Sequence, residues 1–375
     1  MLYQKKTKDK QQKYAVIIIS FYTVFTVLTI HFSDREDWSI MRKEASLNQW
    51  RLLYEVAIKF KKLKPWDHMW DVDLTKILLP EYEEPFFCSV MGKSEECIAI
   101  GIYAGFNAIN GFYYIIDNQQ ISPTQIIRYQ NNLMCYFGSR NELTSKELKV
   151  IKDLGLKFRG KNEWIYFRSF ETGYAPYISD ALQVVQLTAV LQQLYMALTH
   201  LVENKTKVNF ESGNILCRKY DTESKLWLTY EAPNIIQPRI RMTTVINDEL
   251  LLVKLNKLKA TRNEIELDTL YLNIIVNDKE FEKPFLGNLL IIADRKSGML
   301  IDQNMLSPKD KVAQNILEIF INYLMQIGKP KTVYIRDEYI QDYLKDLCEK
   351  IGISLKVKGK LKAIDAFEKS YLGRP

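Results

Sequence analysis

The stretch LLIIADRKSG, residues 289–298, decides the fold of the C-terminal part of the chain. Its first six residues are an apolar strand ending in Asp294, and residues 295–298 are typical of a tight hairpin turn. The following residues predict a return strand at 299–303, a helix at 309–327, a strand at 332–336, a helix at 338–351 and a strand at 354–357. This ββαβαβ order predicts a small α/β domain over residues 286–375.

Two acids, Asp294 and Asp337, follow strands of this domain, where α/β sheets usually place their sites. The arrangement is similar to the ribonuclease H and integrase-like fold, in which a first-strand Asp and a fourth-strand Asp hold divalent metals for phosphodiester hydrolysis. The resemblance implies Asp294 and Asp337 as catalytic residues with Mg²⁺ or Mn²⁺, and a third acid from Asp365 or Glu368.

A structural interpretation of the same two acids stays open. Asp294 before Arg-Lys-Ser-Gly is typical of a plain hairpin turn, and Asp337 before Glu338 is typical of a helix start. A catalytically silent relative of the fold is therefore an alternative to a nuclease.

The preceding residues predict an α+β domain at 41–205 and a β-rich continuation of it at 206–285, so the overall fold class is α+β. The expected elements are helices at 46–63, 145–154, 179–201 and 248–259, an antiparallel meander of strands at 86–91, 97–103 and 111–116, and strands at 133–137, 214–218, 226–230 and 265–276.

Basic residues alternate with aromatic residues in KFRGKNEWIYFRSF, residues 157–170. Such interleaving can bind phosphates and stack bases, and it makes Arg159, Lys161 and Arg168 the candidate binding residues. An ordinary amphipathic hairpin has the same alternation, so both interpretations stay open.

Three acids near two tryptophans, Asp67, Asp71 and Asp73, form a candidate divalent-metal site. The alternative is that the tryptophans anchor a turn while the acids are solvated or cap the backbone. Elsewhere, the 5 Cys show no CxxC spacing and there are only 3 His, which argues against a zinc ribbon or a His-rich metal site. Phosphate-binding loop, serine-hydrolase and metalloprotease motifs are also absent from the sequence.

Residues 1–40 differ from the rest of the chain. Five lysines precede residue 14, and residues 14–32 carry no formal charge. As a helix these residues would span about 28 Å, close to the hydrocarbon core of a bilayer, with the N-terminus inside. Two alternatives are a buried strand, because ten of the 19 residues are β-branched, and a translation start at Met41.

The middle of the chain resembles a bacterial domain family of unknown function over residues 45–290. The resemblance rests on KPW at 64–66, SVMG at 89–92, LGLKFRGKNEW at 154–164 and FRS at 167–169. Residues 285–372 resemble a second such family that commonly accompanies the first. Its relatives sometimes carry a C-terminal SEC-C-type zinc motif; no such motif occurs up to Pro375, so no zinc is implied.

These observations predict a cytoplasmic, non-catalytic binding or regulatory module with an unknown protein partner and no cofactor. The alternatives are a nuclease-like enzyme that uses Mg²⁺ or Mn²⁺ at Asp294 and Asp337, and a single-pass membrane protein anchored by residues 14–32. Nucleic acid is a further candidate partner, and a membrane is one only if the anchor is inserted.

Overall fold

The computed structural model describes residues 28–31, 42–94, 96–118, 121–238 and 243–372, without the side chains of 28–31, 123, 273 and 372. These residues form two compact units. The first contains residues 42–238 and 278–284, and the second contains 28–31, 243–277 and 285–372. One boundary lies between residues 284 and 285, but residues 243–277, which the sequence assigned to the first domain, also belong to the second unit, because the strand at 264–277 pairs there.

The elements confirm the α+β class. The strands are β1 (Leu28–His31), β2 (Thr75–Leu78), β3 (Phe86–Met91), β4 (Ala99–Ala104), β5 (Asn132–Gly138), β6 (Trp164–Phe170), β7 (Tyr177–Ile178), β8 (Asn214–Asp221), β9 (Leu226–Pro233), β10 (Glu264–Asn277), β11 (Phe285–Asp294), β12 (Leu300–Leu306), β13 (Thr332–Ile335) and β14 (Ser354–Val357). The α-helices are α1 (Leu47–Leu63), α2 (Gly105–Asp117), α3 (Pro123–Tyr129), α4 (Ser145–Asp153), α5 (Ala181–Val202), α6 (Glu249–Asn256), α7 (Val312–Ile327), α8 (Glu338–Ile351) and α9 (Lys362–Leu372).

The first unit is built on an eight-stranded sheet in the order β7-β6-β5-β4-β3-β2-β8-β9. Its neighbouring strands are antiparallel except β2 and β8, which are parallel. Helices α1 and α5 pack on one face, where Trp50, Leu53 and Leu194 join the largest apolar core. A capping box of Ser46 and Gln49 starts α1, and Lys64 in the left-handed conformation ends it before Pro65.

Helix α5 is the one described helix long and apolar enough to cross a membrane by length and composition. Eight of its side chains are buried in the first unit, among them Leu187, Leu191 and Leu198. Packing against α1 and the sheet therefore accounts for its apolar character.

The third strand predicted for the meander, at 111–116, is instead part of helix α2. Gly105, at a φ of +78°, begins the helix directly after β4. Phe106, Ile109 and Phe112 then recur at a spacing of three and pack in one apolar cluster with Ile116. The Tyr and Ile residues of this stretch favour strands by composition, but their spacing satisfies a helix.

The second unit has the strand order β12-β11-β10-β13-β14, with β1 paired to the far end of β10. Strand β10 is central, antiparallel to β11 and parallel to β13. Helices α7 and α8 cover one face of the sheet, and α9 covers the other. The predicted ββαβαβ order is therefore preceded by one more strand, β10, which the sequence assigned to the first domain.

Part of the predicted membrane anchor is visible. Leu28–His31 form strand β1, parallel to Ile274–Asn277. The rest of the anchor, residues 14–27 and 32, lies outside the described residues, as does Met41.

Close packing between α2 and α3 gives a first prediction. A Cβ atom at Gly111 would lie 2.2 Å from the carbonyl oxygen of Tyr129. We expect Gly111→Ala to lower the free energy of unfolding by about 3 kcal/mol, because backbone must move to admit the methyl group. Urea denaturation followed by circular dichroism measures this loss.

The matched control is Asn107→Ala on the exposed side of the same helix, which we expect to be neutral or slightly stabilising. Equal stability of Gly111→Ala and Asn107→Ala would contradict the close approach of the two helices.

Candidate functional site

Two carboxylates lie on the central strand of the second sheet. Alternate residues of β10 face opposite sides, so Ile265 and Leu267 enter the core under α7 and α8. Glu266 and Asp268 face the other side, toward α9, and both are fully buried. Charged groups in such a position need partners, because burial of an unpaired carboxylate is very unfavourable.

Glu266 is held at the N-terminus of α9. Its Oε1 accepts a hydrogen bond from the Lys362 N–H at 2.9 Å, and its Oε2 accepts bonds from the N–H groups of Ala363 and Ile364 at 2.8 and 3.2 Å. The Arg295 guanidinium forms an ion pair with the same carboxylate and lies over the Tyr334 ring at 4.1 Å. The carboxylate thus caps the positive end of the helix dipole as well as pairing with a cation.

Asp268 is held by Arg336, which joins it to α9. Arg336 Nε donates to Asp268 Oδ2 at 2.5 Å, Nη2 donates to Asp365 Oδ1 at 2.7 Å, and Nη1 donates to the Gly359 carbonyl at 3.2 Å. Asp365 Oδ2 also accepts from the Leu361 N–H at 3.1 Å. Burial by itself would lower the pKa of Arg336, but Asp268 and Asp365 raise it above its ordinary value.

The predicted catalytic acids have local structural partners. Asp294 Oδ1 accepts hydrogen bonds from Ser297 N–H and Oγ–H at 2.6 and 2.7 Å, and these bonds lower the pKa of Asp294. Asp337 is the N-cap of α8, where its Oδ1 accepts from the N–H groups of Tyr339 and Ile340. Both contacts match the turn and helix-start interpretations of the sequence.

The strand register also separates Asp294 from Asp337. Asp294 lies opposite Ile265, near the start of β10, whereas Asp337 follows Ile335, which lies opposite Leu267. The two acids thus differ by about four residues along the sheet, or roughly 13 Å, and lie on strands separated by β10. Metals about 4 Å apart need carboxylates that share them, so the pairing predicted for Asp294 and Asp337 is not supported.

Apart from β1, strand β10 is the first strand of this sheet along the chain and β13 is the fourth. Glu266 and Asp268 lie on that first strand, whereas Asp294 ends the second. Of the third acids considered from the sequence, Asp365 joins this network through Arg336. The residues present do not fit a divalent metal, because guanidinium groups already neutralise the buried carboxylates.

The described residues contain no group of three or more His, Cys, Asp or Glu side chains that could hold a metal ion. This finding is against the candidate site of Asp67, Asp71 and Asp73. Asp73 Oδ2 accepts from the Trp70 N–H at 2.7 Å, and Asp67 is exposed. Asp71 lies half-buried in a turn, and burial raises the pKa of its carboxyl to about 6.

The three candidate binding residues of the first unit are not brought together as one site. Arg168 donates from Nε and Nη2 to the two oxygens of Glu147, at 2.9 and 3.0 Å, and from Nη2 to the Glu142 carbonyl at 2.6 Å. Burial opposes the charge, but Glu147 raises the pKa of Arg168 above its ordinary value. Arg159 and Lys161 are exposed in the loop before β6, and their binding role stays a prediction.

A row of lysines beside the buried network is a feature that the sequence reasoning did not use. Lys356, Lys358, Lys360 and Lys362 alternate along the end of β14 and the loop into α9, and no acid lies between Glu349 and Asp365. All four residues are exposed, and none of their ammonium groups pairs with another residue that the structure describes. The period of two in an acid-free stretch is the signal that could have found them.

Two family models match the sequence. One is a domain of unknown function (DUF7309) over residues 50–218, and the other is a domain of unknown function (DUF6930) over residues 251–372. The chain carries these two domains in tandem. No curated protein matches it. The predicted tandem is confirmed, and the DUF6930 match begins before β10, in agreement with the place of that strand in the second unit.

The buried pair in the DUF6930 domain gives a second prediction. We expect Arg336→Met to lower the free energy of unfolding by about 4 kcal/mol, because Asp268 is left buried without its cation. The double variant Arg336→Met/Asp268→Leu should recover most of that loss, since an apolar pair replaces the ions. Denaturant unfolding of the parent, both single variants and the double variant measures the coupling.

Lys350→Met, which removes a partly exposed partner of Asp346, is the control and should cost about 1 kcal/mol or less. A comparably small loss for Arg336→Met would show that Asp268 does not depend on the guanidinium.

Proposed function

We propose that this protein is a non-catalytic binding module whose second domain binds an anionic polymer, the phosphate backbone of a nucleic acid. The proposed lack of catalysis rests on the position of Arg336 between Asp268 and Asp365. In a two-metal site the cations that bridge such carboxylates are metal ions. Here a side chain of the protein itself fills that bridging position, and its hydrogen bonds tie strand β13 to helix α9.

The lysine row supplies the binding surface. Alternate residues of a parallel strand are about 6.6 Å apart, so Lys356 and Lys358 place two charges along a line at the edge of the sheet. Lys360 follows in the loop, and Lys362 begins α9, where its N–H donates to Glu266 of β10. A line of cations suits a linear polyanion, whereas an amphipathic membrane-binding surface needs a broad apolar face, and Val357 is the one large apolar side chain exposed within 354–362.

Lysines on an edge strand also prevent sheets from pairing edge to edge. Removal of the lysine charges has a different consequence for each of these two roles. Loss of edge protection leads to self-association, and loss of a binding surface leads to weaker binding of the polymer.

The third prediction measures binding of a fluorescent single-stranded oligonucleotide to the full chain by anisotropy over a range of salt concentrations. We expect a slope of log K against log salt near −3, because each phosphate contact to a single strand contributes about −0.7. Replacement of Lys356, Lys358, Lys360 and Lys362 by Gln should bring the slope close to zero and weaken binding at low salt.

The matched control replaces four other exposed lysines of the same unit, Lys254, Lys257, Lys311 and Lys345, by Gln, with the same change in net charge. Equal losses in both quadruple variants would show a non-specific effect of charge. Self-association of the first variant with unchanged binding would show edge protection only. Binding to phosphatidylserine vesicles without binding to oligonucleotides would overturn the choice of nucleic acid.

The absence of catalysis has its own test. Incubation of the purified protein with single- and double-stranded DNA and RNA in Mg²⁺ or Mn²⁺ should leave the polymers intact. Cleavage that is lost in Asp268→Asn, or in Asp294→Asn and Asp337→Asn, would establish the nuclease alternative instead.

A further inference from the structure

The edge strands of the two sheets differ in what they expose. At the edges of the second sheet, β14 carries exposed lysines and β12 carries the polar residues 302–304, both of which discourage pairing with another strand. The first sheet ends at β9, which exposes large apolar side chains. Leu226, Leu228 and Tyr230 are 61%, 43% and 39% exposed, respectively.

These three side chains form one apolar row. They alternate along β9 and lie opposite Asp221, Lys219 and Cys217 of β8, so they share a face of the sheet. The intervening residues, Trp227 and Thr229, face the other side, where Arg218 Nη1 donates to Thr229 Oγ1 at 2.7 Å. In the described sheet β9 pairs with β8 alone, so the backbone groups on its outer side have no strand partner.

The sequence of this edge is complementary to itself. When two copies of β9 run antiparallel around Leu228, Leu226 faces Tyr230 of the second copy, and Lys225, the turn residue directly before the strand, comes next to Glu231. Trp227 then faces Thr229, and Leu228 faces its own equivalent. The apolar residues meet on one face and the opposite charges on the other. A two-fold axis requires this kind of self-complementary surface.

The carboxylate of Glu231 is held on the β8 side of the strand through one of its two oxygens. Its Oε1 accepts hydrogen bonds from the Asn209 N–H and the Asn214 side-chain amide, both at 2.7 Å. These bonds fix the carboxylate while the residue remains exposed, and both use the same oxygen. Its Oε2 has no bond to a described residue and is available to an ammonium group.

We propose that β9 pairs antiparallel with β9 of a second copy of this chain, so that two eight-stranded sheets become one continuous sheet across a two-fold axis at Leu228. Cross-strand pairs of opposite charge and of apolar side chains stabilise this pairing, and it covers the exposed row. The inference rests on the first unit alone and does not depend on the proposed function.

Sedimentation velocity of the full chain over a range of concentrations tests the proposal, with a reversible dimer as the expected result. Leu228→Lys should raise the dimer dissociation constant by about tenfold or more, because two like charges then meet at the axis. Leu182→Lys, at a leucine of α5 that is 80% exposed, is the matched control and should leave the dimer unchanged.

A charge exchange distinguishes antiparallel pairing from other contacts through the same surface. Lys225→Glu should weaken the dimer, and Lys225→Glu/Glu231→Lys should restore it, since the exchange recreates the opposite pair. Thermal melts of each variant verify that the fold survives the loss of the Asn209 and Asn214 bonds. A monomer at every soluble concentration, a dimer insensitive to Leu228→Lys, or a folded double variant that does not recover would overturn the proposal.

Discussion

The burial of two carboxylates on one central strand constrains the whole second unit. Glu266 and Asp268 are removed from water, so the surrounding chain has to supply cations and N–H donors at fixed positions. Arg295 comes from the end of β11, Arg336 from the end of β13 and the backbone donors from the start of α9. Three parts of the chain are therefore fixed relative to β10 by charge, and apolar packing alone would leave the position of α9 less specific. The same groups that give this specificity leave the carboxylates without free capacity for a metal.

Local signals in the sequence were sufficient to predict most of the helices and strands. The apolar spacing of α1 and α5 predicted those helices, because periodicity depends on neighbours within a few residues, and the structure shows capping boxes at Ser46, Thr144 and Asp180 where α1, α4 and α5 begin. Residues 111–116 were assigned to a strand because aromatic and β-branched residues outweighed the spacing. Strand β10 was recognised but assigned to the wrong domain, since a sequence does not show which of two sheets a strand joins.

The candidate site was harder to predict because its contacts are distant in sequence. Arg336 and Asp268 are 68 residues apart, and neither residue has a local pattern that points to the other. Asp294 and Asp337 are catalytic candidates in the sequence because they follow strands. The residues around them also predict the turn and the helix cap that the structure contains. Asp365 was identified as a third acid, but its partner is an arginine that the sequence analysis did not consider.

The acids of β10 also have a consequence for the chain during synthesis. Paired residues of β10 and its parallel partner β13 are 68 residues apart in the chain, so β10 is complete long before β13 can pair with it. Without Glu266 and Asp268 its first nine residues would be a nearly continuous β-prone run, which is the kind of segment that aggregates when exposed. Ionised carboxylates at alternate positions interrupt that run and keep the nascent strand hydrated. The carboxylates that are costly to bury in the native state thus protect β10 from aggregation until Arg295 and Arg336 have been synthesised.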